Sequence, residues 1–123
     1  MKVAVFIALF AMLAAGFAGA QQNELLAPLD QAVNAMLEAA GAPSRDATRV
    51  VPIESSGGAV NGYAQIVGTA SRVAATRAVV KISTSAPNGW RIDALVPVSS
   101  VSRSTGRLHR EYGVAVDALV SGP

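Results

Sequence analysis

The sequence predicts an α+β domain in which one amphipathic helix packs on a four- to five-stranded antiparallel meander sheet. Three observations carry that expectation. Apolar residues recur at helical spacing from Glu24 to about Ala40. After Arg49 the apolar period changes to two. Turn sequences further on allow the strands between residues 76 and 120 to be aligned so that they share one apolar face.

The first element is a leader. Lys2 gives a short positive end, Val3 to Leu13 is an unbroken apolar run, and Ala14 to Ala20 turns to small residues ending Ala18-Gly19-Ala20. This is the three-part pattern of a cleavable secretory signal, with cleavage between Ala20 and Gln21. A spanning helix needs about 20 strongly apolar residues, whereas the second half of this run is mostly alanine and glycine. Residues 1–20 are therefore expected to be removed, leaving residues 21–123 as a single small globular domain. The expected location is secreted: extracellular, or periplasmic in a bacterium. No membrane span is expected once the signal has gone.

The helix follows. Leu25, Leu26, Leu29, Val33, Met36, Leu37 and Ala40 form one stripe, and Asp30, Gln31, Asn34 and Glu38 lie on the other side. Asn23 is a candidate cap, Pro28 delays the true start, and Gly41 and Pro43 end the element.

Arg49–Glu54 is a short candidate strand that contains Pro52, Ser55–Gly62 reads as a loop, and Tyr63–Thr69 is a second candidate strand. Thr76–Thr84, Trp90–Val98 and about Arg107–Val120 alternate more clearly. Folding at Ala86-Pro87-Asn88-Gly89 sets Ile82 against Ile92, Val80 against Ala94, Ala78 against Val96, and Lys81 against Asp93. A second turn at Ser104-Thr105-Gly106 sets Val98 against Tyr112, Val96 against Val114, Ala94 against Val116, Ile92 against Ala118 and Trp90 against Val120. Val80, Ile92 and Val114 then share one face, which the helix covers.

Composition excludes several classes of function. There is no cysteine, hence no disulfide and no thiolate chemistry. Without Lys2, nine basic residues face eight acidic ones, and the surviving aromatics Tyr63, Trp90 and Tyr112 do not sit among clustered arginines. Nucleic acid is not an expected partner. The Ser55–Gly62 loop lacks the lysine of a phosphate loop, and no histidine spacing suits zinc, so no cofactor or metal is expected.

The register above puts Lys81, Asp93 and Asp117 in one outward row, with Val79, Leu95 and Ala115 in the next. Two carboxylates side by side can split their pKa values and act as acid and base, but a solvated charge ladder explains the row more simply. His109 stands alone, and no Gly-x-Ser-x-Gly elbow presents a nucleophile. No catalytic residue is assigned, and the chain reads as non-enzymatic. Candidate contact residues lie at hairpin ends: Pro87, Asn88, Gly89 and Trp90 at one turn, and Arg103, Arg107 and Arg110 around the other, where an anionic or protein partner could dock.

A secreted helix-plus-meander of this length, with Gln65-Ile66-Val67-Gly68 and Pro87-Asn88-Gly89-Trp90, resembles the cystatin architecture. That resemblance implies two hairpin loops wedged into a cysteine-protease cleft. The sequence thus predicts a secreted binding or interaction protein acting through hairpin loops. A cystatin-like protease inhibitor and an extracellular structural or defence protein are the alternatives.

Overall fold

The computed structural model describes residues 18–102 and 105–122, with side chains from residue 25 onward. Helix α1 spans Ala18–Ala39. It is followed by β1 (Ala47–Ser55), β2 (Val60–Gly68), the short helix α2 (Ala70–Ala75), β3 (Ala78–Ser85), β4 (Arg91–Ser102), β5 (Arg107–Arg110) and β6 (Ala115–Val120). The class is α+β, as expected: one main helix and one sheet.

The sheet itself differs from the expected meander. It has six strands in the order β5-β4-β3-β1-β2-β6, and β1 and β3 run parallel, with Ile53 beside Val79 and Ser55 beside Lys81. Helix α2, which the alternation did not show, makes this possible. It returns the chain from the end of β2 across one face and lets β3 enter beside β1. Pro52 sits in β1 opposite Tyr63 of β2, and pairing with β3 begins only at Ile53. The residue that lacks an N–H thus has a strand on one side only.

The helix also starts earlier than expected. It runs through Asn23 and Pro28, so Asn23 is not its first residue. Its end is as expected: Gly41 takes φ +79°, its N–H donates to Glu38 O, and Ala42 N donates to Leu37 O. That pair of bonds is the Schellman closure that a glycine permits.

The β3–β4 hairpin forms at the expected turn but two residues out of the expected register. Ile82 faces Ala94, Val80 faces Val96, Ala78 faces Val98 and Lys81 faces Leu95. A shift of two keeps every side chain on its expected side, since strand side chains alternate with period two. The second expected hairpin forms only along β5 and in another register, with Val98 facing Arg110 and not Tyr112. β5 pairs with β4 through Val101↔Leu108 and Ser102↔Arg107, and β6 then crosses to the far edge and pairs with β2 through Tyr63↔Val120 and Ile66↔Val116.

Both faces of the sheet carry apolar packing, so the single shared face is not found. On the inner face Val51, Ile53, Ala64, Ile66, Val79 and Val73 of α2 form one buried cluster, with Leu95, Val114 and Val116 packed against it. On the outer face Ala78, Val80 and Val98 form a second, flanked by Val96, Val101 and Leu108. Val80 and Val114 therefore lie on opposite sides. Neighbouring strands lie about 4.8 Å apart, so β4 and β6 would be roughly 19 Å apart in a flat sheet. They come within 8 Å of one another. The sheet is curled around the inner cluster into an open barrel.

Helix α1 lies on the outer face over β1 and β2, not over strands 76–120. Val33 is buried there, and a polar cluster fixes the contact. Gln65 Nε2 donates to Asp30 Oδ1 (2.8 Å) and Asn34 Oδ1 (2.9 Å), while Thr48 Oγ1 donates to Asp30 Oδ2 (3.1 Å). Among the described residues no helix is long and apolar enough to cross a membrane.

Candidate functional site

Burial along β3 and β4 changes abruptly part-way. Ala78, Val79 and Val80 are buried, yet Ile82 to Ser85 are exposed, as are Arg91 to Ala94 on the returning strand. The outer half of this hairpin is an arm that projects beyond both apolar clusters. Its turn is tight: Ala86 N donates to Trp90 O at 2.7 Å, and Asn88 and Gly89 both take positive φ (72° and 80°). Asparagine and glycine tolerate that conformation better than other residues do.

The two faces of the arm differ in chemistry. Even-numbered positions face outward: Ile82, Thr84, Ile92 and Ala94, with Trp90 continuing the same row. Ile82, Ile92 and Trp90 are 43%, 50% and 72% exposed, which is unusual for side chains of this size. Odd-numbered positions carry Lys81, Ser83, Arg91 and Asp93. Ser83 Oγ donates to Asp93, and Arg91 Nε reaches the same carboxylate at 3.1 Å. The Ser83 and Arg91 hydrogen bonds hold the Asp93 carboxyl below its usual range.

The apolar row continues into a groove on the outer face of the sheet. Val80, Ile82, Val101 and Leu108 form its apolar lining, the Ser55–Gly58 turn stands at its side, and Glu54 is among its polar groups. Its volume is about 400 Å³. Helix α1 covers β1 and β2 on this face, and the groove is what remains uncovered over β3, β4 and β5. A second recess, of about 460 Å³, lies between α1 and β1, lined by Leu26, Ala27, Asp30 and Thr48 among others.

The expected contact residues fall into two separate places. Pro87, Asn88, Gly89 and Trp90 sit together and exposed at the tip of the arm. Arg107 and Arg110 are exposed on β5, beside the opposite end of β4. Twelve strand residues at about 3.3 Å each put the two ends of β4 roughly 36 Å apart, so they do not make one site. The Arg110 guanidinium lies over the Tyr112 ring, 5.4 Å from its centroid. Arg103 lies outside the described residues, as does most of the expected leader. Ala20 and Gln21 fall in the first turn of α1.

Three other expectations are corrected here. Asp93 and Asp117 do not share a row, because β6 pairs with β2 and not with β4. Asp93 faces Ser83, and Asp117 accepts a hydrogen bond from Ser44. The row Val79–Leu95–Ala115 is likewise absent, since Val79 faces Pro97. Gln65-Ile66-Val67-Gly68 is not a loop but the end of β2, with Gln65 and Ile66 wholly buried. The groove is the feature that sequence reasoning missed. Its signal was present in Val101 and Leu108, two apolar residues flanking a polar turn, but their value depends on β5 folding back on β4.

Among the described residues no cluster of three or more histidine, aspartate or glutamate side chains is placed to hold a metal ion. Comparison of the chain with family models, with curated proteins and with solved structures finds no match to any of the three.

Proposed function

We propose that this chain is an exported, non-enzymatic binding protein whose working surface is the outer face of the β3–β4 arm and the groove at its base. One observation carries the reading: Ile82, Ile92 and Trp90 are exposed in one row that runs into a groove lined by Val80, Val101 and Leu108. Contiguous exposed apolar surface rimmed by polar groups marks interaction sites on folded domains. Export rests on Lys2, the Val3–Leu13 run and Ala18-Gly19-Ala20. The partner chemistry that fits is a polypeptide segment with apolar side chains on one side, because the surface is elongated and the row itself bears no charge.

The test is a panel of immobilised peptides with apolar residues at alternate or helical spacing. Wild-type protein retains at least one class at micromolar concentration, and Ile82→Lys and Trp90→Lys each weaken retention at least tenfold with an unchanged circular-dichroism spectrum. Retention that both variants leave intact would refute the surface. Mass spectrometry of protein recovered outside an expressing cell tests export, with an amino terminus at Gln21 as the expected result.

A further inference from the structure

The arm also has a strand edge that lies apart from the apolar groove. Strand β4 runs from Arg91 to Ser102, but β5 pairs with it only from Val98 onward. On the side away from β3, β6 comes within 8 Å of β4, but among the described residues no strand pairs with the stretch from Arg91 to Val96, and Arg91 to Ala94 are exposed. Two hydrogen bonds show which backbone groups face that way. Trp90 O accepts from Ala86 N, so even-numbered residues of β4 turn their backbone toward β3. Pro97 O accepts from Glu111 N on the opposite side. Backbone direction alternates along a strand, so Arg91, Asp93 and Leu95 present their N–H and C=O groups outward. An unpaired strand edge of this kind is a template for another strand.

We propose that the occupant of this edge is a second copy of the same chain, paired antiparallel through β4 about a two-fold axis at Ile92. The sequence is self-complementary in that one register. With Ile92 opposite its own counterpart, Arg91 falls opposite the partner's Asp93, and Asp93 falls opposite the partner's Arg91. Those two positions are the hydrogen-bonded pairs, because their backbone groups point outward. Ile92–Ile92 and Trp90–Ala94 are then the closer, non-hydrogen-bonded pairs on the other face, where apolar side chains gain most from contact. Leu95 meets Gly89, which has no side chain to obstruct it. The four charges Arg91, Asp93 and their counterparts alternate in sign on one face. Slipping the register by two residues either way sets Arg91 against its own counterpart or Asp93 against its own.

The geometry also limits the contact to the arms. The partner's turn ends opposite Leu95 and Val96, just before Pro97, which has no N–H to offer, and before β5 begins to pair. The two domains therefore point away from each other. An interface of this length buries less than the ~1,200 Å² typical of stable complexes, so association is expected between about 10 µM and 1 mM. Closed two-fold pairing is the commonest symmetry among oligomers.

Charge exchange tests this directly by sedimentation equilibrium of the purified protein. Wild type self-associates. Arg91→Asp and Asp93→Arg each place like charges across the axis and weaken association at least tenfold. Mixing the two variants in equal amounts restores a dimer, because each then supplies the charge that the other lost. The double exchange R91D/D93R restores it within one chain. Both positions are exposed, so folding is retained, and circular dichroism checks that it is. A wild-type protein monomeric to 1 mM overturns the proposal. So do single variants that associate as wild type does, or a mixture that stays monomeric. Peptide retention by the groove is expected to persist in Asp93→Arg, which keeps the two surfaces experimentally separate.

Discussion

Gln65 of β2 and Asp30 of α1 are joined across the helix–sheet interface by a 2.8 Å hydrogen bond from Gln65 Nε2 to Asp30 Oδ1. Gln65 has no exposed surface, and its Oε1 has no hydrogen-bond partner among the described residues. A buried amide is costly unless bonded, so the pair fixes where α1 can sit on the sheet. Gln65→Leu leaves the Asp30 carboxylate without that donor and is expected to lower stability by about 1–3 kcal/mol. In a double-mutant cycle with Asp30→Leu the two effects are expected to be strongly non-additive. Urea titration of the four proteins measures both quantities, and strict additivity would show that the bond does not form.

Arg72 of α2 holds the crossing from β5 to β6. Its Nη1 donates to Tyr112 O at 2.7 Å and lies 3.8 Å from Glu111 Oε1. The guanidinium side chain is half exposed, which screens the charge. Arg72→Ala is therefore expected to cost about 1 kcal/mol, with hydrogen-exchange protection falling first in Ala115–Val120. Unchanged protection of β6 would mean that the clamp is unimportant.

Gly68 ends β2 where Gly113 passes over it, and a Cβ on Gly68 would lie 2.7 Å from Gly113 O. The obstacle is backbone, so one chain must move. Gly68→Ala is expected to destabilise by about 1–3 kcal/mol, in the manner of an overpacked core. Gly57→Ala, whose Cβ meets nothing nearer than 3.9 Å, is the control and should change stability by less than about 0.5 kcal/mol. Equal denaturation midpoints for the two would contradict the close approach.

Asp93 titrates below an ordinary carboxylate because Ser83 and Arg91 donate to its charged form. A folded-state pKa depressed below the unfolded one contributes stability above the unfolded value, and that contribution is lost as pH falls through the folded value. The arm is thus expected to lose this contribution as the pH falls below the usual carboxylate range. Ser83→Ala should move the Asp93 midpoint upward toward that range, which carboxyl NMR can follow. A midpoint unmoved by the substitution would remove Ser83 as the chief cause.

Trp90 and Ile92 are expected to contribute little to stability. Both are at least half exposed, so Trp90→Ser and Ile92→Thr should each shift thermal stability by no more than about 0.5 kcal/mol. A loss of several kcal/mol by calorimetry would mean that the arm folds back against the domain in solution.

The legible part of this fold was local. Helical spacing and Gly41 gave α1 and its end, and Pro87-Asn88-Gly89 gave the arm's turn, because turn chemistry and periodicity act over a few residues. Strand partners were not legible where pairing is long-range. Val116 alternates as well for a place beside Ala94 as for its actual place beside Ile66, and nothing within β6 distinguishes the two. The adjacent valines Val50-Val51 and Val79-Val80 were the overlooked signal. Both members of each pair are buried, as happens only in a strand covered on both sides, and a one-faced meander leaves no room for them. At the candidate site, Trp90 and its turn were visible in the sequence. The groove was not, because it arises from the absence of a covering helix over half of the sheet.

Strand β6 is the last described element the ribosome makes, yet its place is beside Ile66, far earlier in the chain. Until residues 115–120 emerge, the free side of β2 stays open to any extended polypeptide nearby, and the longest loop in the domain remains unclosed. A nascent chain stalled before Ala115 should accordingly be protease-sensitive and prone to aggregate, so that synthesis of β6, Ala115–Val120, acts as the step committing this domain to its native state.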